Sequence, residues 1–136
     1  MSYSIVLSES MKYAMIEHAK TALPNECCGY ITGIDDQCKT IHKMTNIDPS
    51  PTYFEFDPKE QFQVVKAARK AGEVPLVVYH SHPSSPARLS EKDLELLRDP
   101  EMTYIIVSLA NNAEEVKGYR IINDVIFDVE LVIKGG

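Results

Sequence analysis

The stretch VPLVVYHSHPSSPARLSEKDLELLR, residues 74–98, runs from an apolar segment through two closely spaced histidines and a proline-broken loop into a helix start. Val74 to Tyr79 reads as a buried strand. Side chains alternate across a strand, so His80 and His82 face one way and Ser81 the other. They stand where an apolar strand ends, which is where ligands of α/β sheets gather. Beyond the loop, Ser90 can cap a short helix reaching about Arg98, with Asp93 at its N3 position near the positive end of the helix dipole. The Pro83–Leu89 loop is long enough to fold that first turn back over the strand end. For one histidine alone the ordinary reading is a surface side chain, and capping alone is a sufficient reason for Asp93. Two rings on one face, taking half of the chain's four histidines, favour a His, His, Asp set. Three such ligands leave one tetrahedral position open, which is the arrangement of a catalytic zinc site; structural sites usually close with cysteines.

Working outward, the same run is predicted to sit among alternating helices and strands. Ser8 or Ser10 can cap a first helix whose buried face would hold Met11, Ala14, Met15, Ala19 and Ala22, and which Pro24 ends. Cys27 to Ile34 is apolar, Lys39 to Met44 alternates like a half-buried strand, and Asp35-Asp36 would turn between them. Tyr53 to Phe56 suggests another strand, reached through the Asp48-Pro49-Ser50-Pro51 connection. A second helix is announced by Asp57 at the N-cap, Pro58 at N1 and Glu60 at N3 of a capping box. Phe62, Val65, Ala68 and Ala71 would form its inner face, with Gly72 as the stop. Met102–Leu109, Glu115–Ile122 and Val125–Ile133 read as strands, with turns at Asn111-Asn112 and Asn123-Asp124. Antiparallel pairing of this last set beside a few helices indicates an α/β or α+β layered architecture.

The bulk numbers narrow the function classes. A length of 136 residues with 44% hydrophobic and 25% charged residues fits one globular domain with a real core. The formal charge of −6 disfavours nucleic acid, whose phosphates call for basic surface. Apolar runs such as Tyr104–Val107 fall far short of the ~20 residues that cross a bilayer, so no membrane partner is expected. The N-terminus lacks a signal-like pattern, and three cysteines, with Cys27 and Cys28 adjacent and Cys38 apart, make an awkward set for disulfides. A reducing cytoplasm is the expected setting.

Hydrolysis at an open zinc also needs a group to move protons, and a carboxylate is the natural choice. Glu26 stands out among 20 acidic residues, because it lies between Pro24 and the small, apolar Cys27-Cys28-Gly29 at the margin of the core. An ordinary loop acid is the plainer reading of Glu26 taken by itself.

His80-Ser81-His82-Pro83, the residues Pro83–Leu89, and Ser90-Glu91-Lys92-Asp93 together resemble the His-x-His-x7-Ser-x2-Asp signature of the JAMM (MPN+/JAB) zinc metalloproteases. Pro24-Asn25-Glu26-Cys27-Cys28-Gly29 is similar to the Pro-x-Glu-x-Cys-Gly segment of that family's compact bacterial members, and Tyr53–Pro58 resembles their strand-to-helix junction. Leu89 departs from a proline common in relatives. The resemblance implies an α/β fold, a single domain over 1–136 with a mixed, largely antiparallel sheet flanked by helices, of the cytidine-deaminase-like kind. It further implies that His80, His82 and Asp93 ligate Zn2+, that Glu26 orients and deprotonates water, and that the Ser90 hydroxyl donates to the tetrahedral oxyanion. Cys28 reads as a buried structural cysteine, and His18 and His42 are unassigned.

Substrate follows from the same resemblance. Compact bacterial members act on ubiquitin-like sulfur-carrier proteins, cutting after a C-terminal Gly-Gly; an extended glycine tail can lie along a sheet edge without side chains to obstruct it. The expected function is therefore a zinc-dependent peptidase or isopeptidase on a ubiquitin-like or sulfur-carrier protein. A zinc-binding non-catalytic MPN scaffold and a RadC-like protein are the alternatives, and a homodimer stays open. The terminal Lys134-Gly135-Gly136 imitates such a tail, but two end glycines are more often a frayed terminus.

Overall fold

A computed structural model describes residues 2–136. The elements are β1 (Tyr3–Ser8), α1 (Glu9–Ala22), β2 (Cys28–Ile34), β3 (Gln37–Met44), α2 (Pro58–Ala71), β4 (Val74–His82), α3 (Glu91–Leu96), β5 (Thr103–Ser108), β6 (Glu115–Ile122) and β7 (Val125–Lys134). The strands follow the order β1-β3-β2-β4-β5-β6-β7 and close on themselves. Pairing is antiparallel at β2/β3, β2/β4, β5/β6 and β6/β7. It is parallel at β4/β5, β1/β7 and β1/β3. The expected mixed, largely antiparallel sheet with helices is thus the fold found, with closure into a barrel as an addition. The closing seam is thin, one register pair of Val6 with Gln37 beside a 2.9 Å bond from the Val6 amide to the Asp36 carbonyl.

β4 lies at the centre because its apolar run is hidden on both faces. Val77 and Tyr79 pack with Ile105, Val107 and the inner face of α1, while Val78 packs with Val64 of α2, Phe54, Leu97 and Tyr104. His80 and His82 continue the second face, and the strand carries them inside its own ladder, opposite Ile106 and Ser108 of β5. The β6–β7 turn places Asn123 at φ 52° and Asp124 at φ 64°, the paired left-handed conformation that a tight hairpin needs and that Asn and Asp tolerate. Gly72 ends α2 at φ 73°, its amide bonding back to the Ala68 and Arg69 carbonyls, as expected of that stop.

Several expectations are corrected. β1 was not foreseen; Tyr3–Ser8 alternates, with Ile5 and Leu7 buried, and it precedes α1 with Ser8 serving both as its last residue and as the N-cap. Tyr53–Phe56 is not a strand, since its ladder pairing with the preceding chain is a single bridge between Asn46 and Phe56. α3 stops at Leu96, short of Arg98. The inner face of α2 is Val64 and Ala68, whereas Phe62 is 66% exposed and Val65 42%. Glu60 explains that rotation. Instead of closing a capping box on Asp57, its carboxylate accepts from the Thr45 amide and hydroxyl, both at 2.8 Å. Pinning residue 60 toward the sheet turns positions 64 and 68 inward with it, because residues four apart share a helix face.

Gly29 on β2 carries one firm requirement. A Cβ there would overlap the Tyr79 ring, and that ring is fully buried with its hydroxyl 2.7 Å from His18 Nδ1. Gly29→Ala is expected to cost about 1–3 kcal/mol, read as a lowered denaturation midpoint; a variant as stable as the parent would mean that Tyr79 does not occupy this space.

Candidate metal centre

β4 ends with His80 and His82 on one face, and α3 begins with Asp93 turned back toward them. The fold-back is local. Ser90 Oγ accepts from the Asp93 amide at 3.0 Å and Asp93 Oδ2 accepts from the Ser90 amide at 3.0 Å, so the capping box closes and fixes the carboxylate. His80 Nε2 lies 3.0 Å from Asp93 Oδ1, His82 Nε2 lies 3.1 Å from Asp93 Oδ2, and the two Nε2 atoms are 3.2 Å apart. Among the described residues these three form a cluster of buried His, Cys, Asp or Glu side chains with the spacing of a metal site.

The hydrogen bonds around the rings decide which atoms point inward. His82 Nδ1 faces the Pro86 carbonyl at 2.9 Å. A carbonyl only accepts, so Nδ1 carries the hydrogen; Nε2 on the Asp93 side is then a lone pair in the neutral ring and a donor to Asp93 in the protonated one. Outer partners of this kind set the tautomer of metal-binding histidines. The loop bearing Pro86 is itself tethered by Ser108 Oγ, which donates to the Ser85 carbonyl at 2.7 Å, and by Tyr119, whose buried hydroxyl donates to the Ala87 carbonyl. His80 has no such partner: its Nδ1 is buried and unpaired, and the ring is held by stacking on Phe54 at 4.9 Å between centroids.

Protonation follows burial and neighbours. Burial lowers the pKa of His80 against the pull of Asp93. Burial also opposes charge on His82, but the Asp93 carboxylate and the Pro86 carbonyl outweigh it and raise the value. Asp93 loses hydration too, yet bonds from both imidazoles and the Ser90 amide hold it well below the usual carboxylate range. Glu26 is only 4% exposed and its Oε1 has no hydrogen-bond partner. Burial pushes it up to about 8, with the His82 charge opposing and the Asp93 charge adding to the rise.

The donor atoms have the spacing that a small divalent ion requires. Bonds of about 2.0–2.1 Å at a tetrahedral angle separate ligand atoms by about 3.3 Å, close to the 3.0–3.2 Å found. The set fits. Cys28, though it pairs with His80 across the β2/β4 ladder, is not part of it; its thiol donates to the Thr45 carbonyl at 3.7 Å, and burial pushes it up to about 12. His18 bonds Tyr79, and His42 bonds Thr32 at 2.9 Å, so both serve the scaffold. The Phe54 stack and the loop tethers from Ser108 and Tyr119 were not read from the sequence. Tyr119 lies 32 residues from its partner Ala87, so no local pattern marks it.

Residues 8–122 match the family described as prokaryotic homologs of the JAB domain. The chain is 36% identical over 124 residues to the CysO-cysteine peptidase of Mycobacterium tuberculosis, covering 89% of this chain and 85% of that one. It is 30% identical over 115 residues to the desampylase of Haloferax volcanii, covering 79% and 82%. A solution structure from Desulfitobacterium hafniense superposes with a TM-score of 0.89 at 37% identity, over 97% of this chain and 94% of that one.

Glu26 gives the metal-free protein a pH signature. Its folded pKa of about 8 stands above the usual 4.5, so between these values the folded state keeps a proton that the unfolded chain has released, and stability falls as pH rises through that window. Glu26→Gln removes this slope. In thermal melts with chelator, its advantage over the parent should grow from pH 5 to pH 8.5, taken as roughly the ends of that window; a constant difference would mean that Glu26 titrates normally.

Proposed function

The chain belongs to the family of prokaryotic homologues of the JAB domain, and on that premise we propose that it is a zinc-dependent peptidase cutting after the C-terminal Gly-Gly of a ubiquitin-like or sulfur-carrier protein. The observation carrying this reading is the His80–His82–Asp93 convergence, with the buried Glu26, its Oε1 unpartnered, in the electrostatic reach of His82 and Asp93. The names of the relatives support the substrate class, one being a CysO-cysteine peptidase and another a desampylase. Residues 1–136 are taken as one such catalytic domain. A cytoplasmic setting suits three free thiols, and among the described residues no helix is long and apolar enough to cross a membrane.

In this reading His80, His82 and Asp93 would hold the ion, which supplies Lewis acidity and lowers the pKa of water toward about 7. Nitrogen and oxygen donors also suit iron, cobalt and nickel, and zinc is favoured because an open site with three such ligands is the zinc hydrolase pattern. Glu26 acts as the base. Its raised pKa means that it holds a taken proton readily and can return it to the leaving amine. Ser90 contributes its hydroxyl hydrogen to the developing oxyanion, and this is compatible with capping: the oxygen accepts from the Asp93 amide while the O–H remains a donor. An open groove of about 790 Å³ runs between the Asp48–Tyr53 connection and the first turns of α3, reaching Ser90. A glycine tail, lacking side chains, can lie extended along such a groove.

Mass spectrometry after incubation with sulfur-carrier proteins bearing C-terminal extensions tests the proposal. The parent should release the residues after Gly-Gly, chelator should stop it, and Glu26→Gln should bind zinc without turnover. Ser90→Ala should slow kcat by about 100- to 1000-fold. Trimming that persists with chelator would overturn the metallopeptidase reading, and zinc binding without turnover by the parent on any carrier would favour a scaffold.

A further inference from the structure

Glu26 belongs to no helix or strand, so no ladder fixes its backbone. With Oε1 unpartnered as well, the position of the carboxyl is inherited from whatever holds the main chain. The Glu26 amide and carbonyl make two bonds, both to the connection between β3 and α2, beside the two that tie the next residue, Cys27, to Ser81 of β4. The Glu26 amide donates to the Ser50 carbonyl at 2.8 Å, and the Glu26 carbonyl accepts from Asn46 Nδ2 at 3.1 Å.

Asn46 has three further partners. Its Nδ2 also donates to the Tyr53 carbonyl at 3.1 Å, and its Oδ1 accepts from the Asp48 amide at 3.1 Å and the Glu55 amide at 3.0 Å. That uses both hydrogens and both lone pairs of the amide. The partners also fix its orientation, since two carbonyls can only accept and two amides can only donate; a flipped side chain would break all four bonds. One half-buried residue thereby joins three pieces of chain: the bend holding Glu26, the start of the connection at Asp48, and the Tyr53–Glu55 segment whose Phe54 stacks on His80.

We propose that Asn46 is a positioning residue for the hydrolysis, its side-chain amide locking Glu26 in place against the metal centre through the Asn46–Phe56 connection. The inference rests on the peptidase reading above. No close substitute reproduces the function: aspartate lacks the donors, alanine lacks everything, and glutamine is one methylene too long. The metal ligands do not share the dependence. Asp93 is fixed by the Ser90 box and His82 by the Pro86 loop, while Phe54 is also held by packing against Cys28, Met44 and Val64.

Asn46→Asp separates the two halves of the amide, because it keeps an acceptor for Asp48 and Glu55 but turns an oxygen toward the Glu26 and Tyr53 carbonyls. In the zinc-loaded protein, kcat should fall by about 10- to 100-fold, with KM and zinc affinity, the latter from chelator competition, within about twofold of the parent. Asn46→Ala should lower kcat similarly and also raise KM, because it frees the groove wall. In both variants the Glu26 backbone amide should exchange with deuterium at least about tenfold faster while β4 amides keep their parental rates. Parental kcat in both variants, unchanged exchange at Glu26, or zinc affinity falling in step with kcat would each overturn the inference. The exchange measurement needs no substrate, so a parent protein that cleaves no carrier would sink the peptidase reading while the role of Asn46 in holding Glu26 is still decided.

Discussion

Two imidazole nitrogens and a carboxylate, held 3.0–3.2 Å apart and shielded from water, repel one another unless a proton or a cation lies between them. Lone pairs stripped of hydration and aimed at a common point are costly, and a fold retains such an arrangement only when surrounding bonds over-determine it. The rest of this structure can be understood as the means of holding that convergence. β4 supplies both rings in one rigid ladder between β2 and β5. The Ser90 capping box supplies the carboxylate by a geometry that belongs to any well-begun helix. His82 gains its tautomer from a single carbonyl, and the loop carrying that carbonyl is tethered on each side.

Around this centre the protein divides its support between two connections. The Pro83–Leu89 loop serves the metal ligands, through Pro86 to His82 and through tethers to Ser108 and Tyr119. The Asn46–Phe56 connection serves Glu26, the proposed base, through Asn46 and Ser50, and touches the three clustered side chains where Phe54 stacks on His80. A connection that both holds the Glu26 main chain and walls the neighbouring groove would let contacts in that groove act on Glu26 without disturbing His80, His82 and Asp93. It is also the segment whose expected strand did not form. A regular ladder would have consumed the amides and carbonyls that Asn46 now gathers.

Much of the centre is legible in the sequence because its parts are local. His80 and His82 share a face by strand alternation, and Asp93 and Ser90 sit at N3 and N-cap by helix arithmetic; both rules operate over a few residues. The Gly72 stop and the Asn123-Asp124 turn are legible for the same reason. What escaped depends on distant partners. The rotation of α2 was set by Glu60 reaching Thr45, 15 residues away, which overrode the apolar spacing of Phe62 and Val65. The partners of Asn46 stand 20, 7, 2 and 9 residues from it, and no periodicity marks a residue whose work is to gather loops. β1 is short, and it joins the sheet through a parallel pairing with β7 at the far end of the chain.

X-ray absorption at the zinc edge, on protein loaded with one equivalent, tests the central claim most directly. The account predicts a first shell of nitrogen and oxygen at about 2.0–2.1 Å with the outer scattering of two imidazole rings, lost in His80→Ala and His82→Ala. A sulfur shell at about 2.3 Å, which would place the ion on Cys27 or Cys28, or a spectrum unchanged when either histidine is removed, would contradict it.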